Sequence, residues 1–492
     1  MAHVMAWANV PKMTPTPLHA APDNLDAPAI VAGLRAIDAP AIVAGLRATF
    51  ESGRTRPFEW RIAQLDAIAN MLVAEEGAIV EALGKDLGKP RLEGWLAEVN
   101  DVLAGVRYVR KNLKRWMKPE GVSVPFWLMP GKARIQREPL GVVLVIAPWN
   151  YPFSLAINPL VGAFAAGNTV LIKPSEVAGA TSALLAKLLP KYLDKDAVQV
   201  VQGGVPETTA LLAQRFDHIL YTGNGNVARI VMQAAARNLT PVTLELGGKS
   251  PCYVDESVDL AISAKRIVWG KFSNCGQTCI APDYILVHEN VREAFTAALQ
   301  QTILQFFGED PQKCADYGRI INRHHHQRLM RMLAGSGKVL IGGKSDEGDR
   351  YLAPTLLTDV PLDSPVMDDE IFGPLLPVLG VKNADDAIAF INARPKPLAA
   401  YVFAQDNQVF ERIAANTSSG ALVHNHVVVH YAVHSLPFGG VGESGMGAYH
   451  GRHSFETFSH RKAVMRRSTF GDVDFAYPPY DSKKEGWLRR LM

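Results

Sequence analysis

Val142-Val143-Leu144-Val145-Ile146-Ala147-Pro148-Trp149-Asn150-Tyr151-Pro152 opens the most apolar part of the chain, residues 141–172. A membrane span needs about twenty unbroken apolar residues, because lipid cannot satisfy exposed backbone groups. Pro148, Asn150, Pro152, Asn158 and Pro159 break this stretch, so it is no integral membrane segment. It reads instead as a buried strand from Val142 to Ala147, a loop carrying Asn150, a helix near Leu155 to Ala166, and a second buried strand from Thr169 to Ile172. That is α/β architecture, in which the loops after the strands are free for function.

The pattern continues downstream. Ala197 to Val201 reads as a strand followed by Gly203-Gly204, and His218 to Tyr221 as another followed by Thr222-Gly223-Asn224-Gly225-Asn226. A glycine-bearing turn at a strand end brings a helix N-terminus close to a dinucleotide. The usual GxGxxG fingerprint is absent, and alone such a turn is more often only a turn. Lys173 and Glu176 bracket a Pro-Ser turn just after a buried strand, which projects both toward the carboxyl edge of the sheet. Out of context they read as a surface ion pair.

Two further segments carry reactive groups. Glu245-Leu246-Gly247-Gly248-Lys249-Ser250-Pro251 frames a carboxylate with small residues, and Asn274-Cys275-Gly276-Gln277-Thr278-Cys279-Ile280-Ala281-Pro282 frames a thiol. A thiolate attacks carbonyl carbon and a carboxylate takes a proton from water, so the pair can build and then hydrolyse a thioester. Gly247 and Gly248 clear space, and Gly276 permits a turn that presents Cys279. An isolated cysteine is otherwise a small buried hydrophobe, which is how Cys275 reads.

These segments resemble the signature regions of the aldehyde dehydrogenase superfamily. So do Ala147-Pro148-Trp149-Asn150-Tyr151-Pro152, Leu171-Ile172-Lys173-Pro174-Ser175-Glu176, Glu370-Ile371-Phe372-Gly373-Pro374 and Leu436-Pro437-Phe438-Gly439-Gly440-Val441-Gly442, which stand in the family's order from about 50 to 465. Ser444-Gly445-Met446-Gly447-Ala448-Tyr449-His450-Gly451 and Arg394-Pro395-Lys396-Pro397-Leu398-Ala399 resemble class 3, the fatty and aromatic aldehyde group. The resemblance implies Cys279 as nucleophile, Glu245 as base for water, and the Asn150 amide with the Cys279 N–H as oxyanion hole. It implies an NAD or NADP site with an atypical Rossmann turn at Gly223 and Asn224, near Gly203. Lys173 and Glu176 would meet the adenosine ribose, Glu370 and Phe372 the nicotinamide ribose and ring, and Phe438 would stand beside the ring. Glu176 should accept from a ribose 2′-hydroxyl and repel a 2′-phosphate, which tips the expectation toward NAD. A thiol nucleophile also predicts a Cys279 pKa depressed by nearby donors or by the cofactor charge.

The fold expected is two Rossmann-like α/β domains with a β-arm for oligomerisation. Its boundaries are 1–48, an N-terminal extension; 49–245, the nucleotide-binding domain with a projecting hairpin at 125–139; 246–425, the catalytic domain; and 426–492, a return to the arm and a tail. At 492 residues more than one core is required. The 51 basic against 48 acidic residues give +3, which offers no pull toward nucleic acid. Four cysteines without paired CxxC spacings point to a reducing compartment, and the first residues lack a secretory pattern, so a cytoplasmic location is expected. Class 3 resemblance implies a homodimer acting on a small-molecule aldehyde, apolar and aliphatic or aromatic.

Some positions depart from the family. Ala228 replaces a common glycine, which would loosen or shift the pyrophosphate contact. His426 stands where class 3 relatives carry aspartate, so local contacts there should respond to pH. Leu25 to Ala36 is repeated as Ile37 to Ala48 with one change, and Pro40 favours two short helices over one. The His324-His325-His326 run sends its side chains in different directions and reads as solvated surface rather than a metal site. The basic tail ending Trp487-Leu488-Arg489-Arg490-Leu491-Met492 reads as a docked terminal helix, or else as an amphipathic tail at a substrate mouth or a membrane surface. Two other functions share these residues: ester hydrolysis by Cys279 and Glu245 without a nicotinamide, and nucleotide binding without turnover. A CoA-acylating dehydrogenase would not need Glu245 as a base.

Overall fold

All five residues of the Val142–Ile146 strand are apolar and buried on both faces, which places it centrally in a six-stranded sheet. The computed structural model describes residues 37–470, 472 and 477–491. Across this sheet the order is Gly445–Met446, Val242–Glu245, His218–Thr222, Val142–Ile146, Thr169–Lys173 and Val198–Val200. Only Gly445–Met446 runs antiparallel. From Val142–Ile146 the chain steps outward through Thr169–Lys173 to Val198–Val200, then returns to the other side at His218–Thr222. That reversal opens a crevice at the carboxyl edge beside Val142–Ile146, where ligands of such sheets bind.

The Ser154–Ala166 helix, buried along its whole length, packs behind this edge. Its first N–H groups have no partner within the helix and take one from a distant element: Glu98 Oε2 accepts from Phe153 N at 2.9 Å and from Ser154 N at 3.3 Å. Glu98 lies in a π-helical turn, Trp95–Asn100, whose wider winding aims it inward.

Leu246 to Ser250 lead from the first sheet to a seven-stranded one, ordered Lys338–Ile341, Thr355–Thr358, Leu375–Val381, Tyr284–His288, Pro251–Val254, Ala399–Phe403 and Ala421–His424. Glu245 thus ends a strand of one sheet, and Cys279 lies just before the Tyr284–His288 strand of the other.

A third, antiparallel sheet joins Glu120–Val122, Lys132–Pro139 and Ser459–Arg466. The hairpin is longer than the 125–139 expected: its first strand begins at Glu120, and Phe126–Leu128 forms a 3-10 turn at the tip. Phe126 is 77% exposed and Met129 52%.

The second repeat copy enters the fold through the Ala39–Glu51 helix, which runs across the 48/49 boundary and buries Ala39, Val43 and Leu46. Arg47 then pairs with Asp217 at 2.8 Å, and Asp217 also accepts from Val142 N. Residues 25–36 lie outside the described residues. The Ser482–Leu491 helix is exposed, with Trp487 at 62%, so it is not docked on the described residues of its own chain. Its bonds are short-range, such as Lys484 to the carbonyls of Tyr477 and Pro479. Among the described residues no helix is long and apolar enough to cross a membrane.

Candidate active site

The loop before Cys279 is built against backbone preference. Asn274 and Cys275 both adopt positive φ, +50° and +55°, a conformation that costs of order 1–3 kcal/mol per non-glycine residue. Surrounding bonds hold it. Glu93 Oε1 accepts the Asn274 N–H at 2.7 Å, the Asn274 amide donates to the carbonyls of Asn150 and Gln277, and Gln277 donates to Asn274 O and Arg319 O. Gly276 is required twice over: φ is +73°, and a Cβ there would lie 2.3 Å from Gly373 O. The loop therefore rests directly on the Glu370–Pro374 turn.

Asn150 is fixed from both ends. Its carbonyl accepts from Lys89 Nζ at 3.1 Å and from Asn274, and its amide donates to Gln277 O at 3.0 Å, leaving a second amide proton free. Lys89 is fully buried and paired with Glu98, and its ammonium sits 4.1 Å from the centroid of the Tyr151 ring. Neighbouring Trp149 packs edge-on against Phe372 at 5.2 Å. The sequence reading missed Lys89, Glu93, Glu98 and Gln277.

Glu245 is buried, 2% exposed, and neither carboxylate oxygen has a hydrogen-bond partner among the described residues. Its backbone is fixed by pairing with Gly445 and by Gly223 N donating to Glu245 O at 3.0 Å. Desolvation pushes its pKa well above the carboxylate range, which suits a base. Glu370 is raised to about 8, by desolvation and then by Asp283. A Cβ on Gly247 would meet Glu370 Oε2 at 2.1 Å, so that glycine admits the carboxylate. Arg328 holds this turn through the carbonyls of Glu370, Ile371 and Phe372.

The protein neighbours of Cys279 do not depress its thiol pKa, which corrects that part of the expectation. Burial first, then Glu370 and Glu245, raise it, and these outweigh the N–H groups of Cys279 and Ile280 that point at the sulfur. Cys275 is a structural residue: buried, with Sγ donating to the Tyr317 hydroxyl at 3.3 Å.

At the carboxyl edge of the first sheet, Lys173 and Glu176 pair at 2.5 Å, with Lys173 buried and Glu176 exposed. Gly203 follows the Val198–Val200 strand. Gly223 and Asn224 follow His218–Thr222, and Asn224 caps the Gly225–Ala236 helix through Val227 N at 3.0 Å. Ala228 is buried inside that helix. Phe438 is buried, edge-on to Tyr431 at 5.1 Å and to Tyr449 at 5.8 Å. The arrangement brings a buried thiol, an unpaired buried carboxylate and an amide donor together near the carboxyl edge of the first sheet.

The histidine run is not all surface. His324 is exposed, but His325 packs on Trp149 at 4.7 Å and His326 is buried with Nε2 against Tyr351 O at 3.0 Å, because the Arg323–Leu333 helix turns one face inward. His426 Nδ1 accepts from Val427 N at 2.9 Å, and its ring lies edge-on to Trp269.

A family model described as "Aldehyde dehydrogenase family" matches residues 20–464. "Aldehyde dehydrogenase family 3 member A2" of Mus musculus is 50% identical over 442 residues, covering 89% of this chain and 91% of that protein. "Aldehyde dehydrogenase, dimeric NADP-preferring" of Canis lupus familiaris is 50% identical over 434 residues, covering 88% and 96%. Among solved structures, the substrate-bound AldH of Staphylococcus aureus superposes with a TM-score of 0.89 at 43% identity, covering 92% of this chain and 99% of that one.

Proposed function

The chain belongs to the aldehyde dehydrogenase family and is an NAD(P)-dependent enzyme of it; from that premise we propose that it oxidises aldehydes with an apolar aliphatic or aromatic body to carboxylic acids through a Cys279 thioester. The unpartnered, buried Glu245 carboxylate beside the thiol carries this reading. A buried acceptor with no donor is costly in a finished structure, and a water in need of a base would satisfy it.

In this scheme Cys279 gives up its thiol proton to solvent, and the thiolate Sγ bonds to the aldehyde carbon as the carbonyl π bond breaks. The oxygen, becoming an alkoxide, is met by the free Asn150 amide proton and the Cys279 N–H, each worth on the order of 3 kcal/mol. When bound, the nicotinamide supplies the acceptor for the hydride. Lys173, Glu176, Gly203, Gly223 and Asn224 would hold the adenosine half, and Glu370, Phe372 and Phe438 the nicotinamide half. The fit is supported by the exposed Glu176 carboxylate and by the glycine turns at the carboxyl edge. Glu245 then takes a proton from water, and the resulting hydroxide releases the acid from sulfur. Hydrolysis through Glu245 favours an acid product over transfer to a thiol acceptor. NAD is the proposed preference, on the 2′-phosphate repulsion by Glu176, and a homodimer the proposed assembly, joined through the exposed arm.

NAD(P) reduction with an aldehyde panel tests the reading. Cys279→Ser should abolish it. Glu245→Gln should keep a first-turnover burst and lower steady turnover by about a hundredfold or more, the usual weight of a general base. A Glu245→Gln enzyme with full steady turnover would contradict the assignment.

A further inference from the structure

Asp101 is a buried carboxylate, 8% exposed, that the scheme above does not use. It opens the Asp101–Trp116 helix, and among the described residues no cation is paired with it. Its partner is the Asn158 amide, whose nitrogen donates to Asp101 Oδ2 at 3.1 Å and to the Tyr431 hydroxyl at 2.9 Å. Both amide protons are thereby engaged. The Tyr431 hydroxyl also shares a hydrogen bond with Tyr449, while the carboxylate keeps lone pairs able to accept.

Tyr431 links this group to the chemistry. Its ring packs edge-on against Phe438 and lies 4.6 Å from the His450 ring. Its hydroxyl is near enough to both Cys279 and Asp101 for each charge to act on it. Gly105, one turn along from Asp101, leaves a small cavity it shares with Asn158, His434 and His450. Tyr431, Phe438 and His450 thus form an aromatic cluster within electrostatic reach of the thiol, and Asn158 joins Tyr431 to the Asp101 carboxylate. Apolar side chains would fill that position without desolvating a carboxylate, whose burial holds its pKa up at about 7. A buried carboxylate that shares Tyr431 as a neighbour with the thiol and has an amide donor but no protein cation is the pattern of a ligand contact.

We propose that Asp101, Asn158 and Tyr431 form the far end of the aldehyde pocket, and that the preferred substrates have an apolar body ending in a protic group, a hydroxyl or an ammonium, which donates to Asp101. This rests on the aldehyde-oxidising reading above and names its substrate class.

The test uses the full-length enzyme with NAD(P) and straight-chain aldehydes of one length ending in methyl, hydroxyl or ammonium. Wild type should favour a protic end over methyl by about tenfold or more in kcat/KM, the scale of one hydrogen bond to a charged group. Asp101→Leu should invert that order, with the protic substrates losing through KM rather than kcat. Asp101→Asn should retain the hydroxyl-ended substrate and lose the ammonium-ended one if the natural group is a hydroxyl that the amide oxygen can accept, and should lose selectivity for both if a full charge is needed. Being isosteric, it carries the test should the leucine variant not fold. Methyl-ended substrate preferred by wild type, or an order unchanged in both variants, would overturn the proposal while leaving aldehyde oxidation intact. No oxidation of any aldehyde would overturn both.

Discussion

At the scale of single residues, the thiol and its carboxylates matter most. Cys279 and Glu245 were legible because small residues frame each of them and the segments resemble a known family. The state of the thiol was not, since it depends on Glu245 and Glu370 arriving from two other segments, and no local pattern encodes that meeting. With both carboxylates raising the thiol, removing one charge should ease ionisation. Glu370→Gln in the cofactor-free enzyme should therefore be alkylated by iodoacetamide several-fold faster at pH 9, where Glu370 is otherwise charged. An unchanged alkylation rate would mean Glu370 does not act on the sulfur. Cys275→Ala should leave turnover in place, as its thiol serves only the Tyr317 contact.

At the scale of elements, the strand, loop, helix and strand of residues 141–173 were readable from apolar runs and their breaks. What fixes that loop was not readable. Lys89 and Glu98 are ordinary charged residues in sequence, and only the π-helical turn brings the pair beneath Asn150 and onto the start of the Ser154–Ala166 helix. Breaking such a pair strands a buried charge, at about 3–5 kcal/mol. Lys89→Met should lose that much in denaturant unfolding, and kcat should fall with it as Asn150 loosens; a loss under about 1 kcal/mol would contradict the clamp. Gly276→Ala, which drives a methyl toward Gly373 O, should separate the cysteine loop from the Glu370 turn and depress kcat more than cofactor affinity. The start of the hairpin was not readable because Glu120–Val122 is too short and polar to stand out before its pairing with Lys132–Pro139 is seen.

For the whole molecule, the buried titrating groups set a direction for stability against pH. Glu93 and Asp101 are raised to about 7 and Glu370 to about 8, each chiefly by desolvation, so the folded chain retains protons that the unfolded chain has released. The buried histidines are depressed to about 4 or below, and their unfolded-state protons, a smaller opposing contribution, are gone by about pH 7.5. Stability should thus fall as pH climbs from about 6.5 to 8, and Glu93→Gln should flatten that slope; a melting temperature that rises over this window would contradict it. The repeat is a whole-chain feature too. Because the second copy already supplies the buried Ala39, Val43 and Leu46, deletion of Leu25 to Ala36 should leave melting temperature and kcat unchanged. The claim on which the rest depends is the division of labour between Cys279 and Glu245, and the intact mass of the Glu245→Gln protein, quenched in acid after mixing with aldehyde and NAD(P), tests it directly. A mass increase equal to the acyl group, lost on Cys279→Ser, is the predicted result. A protein of unchanged mass that nonetheless reduces the nicotinamide would contradict the account.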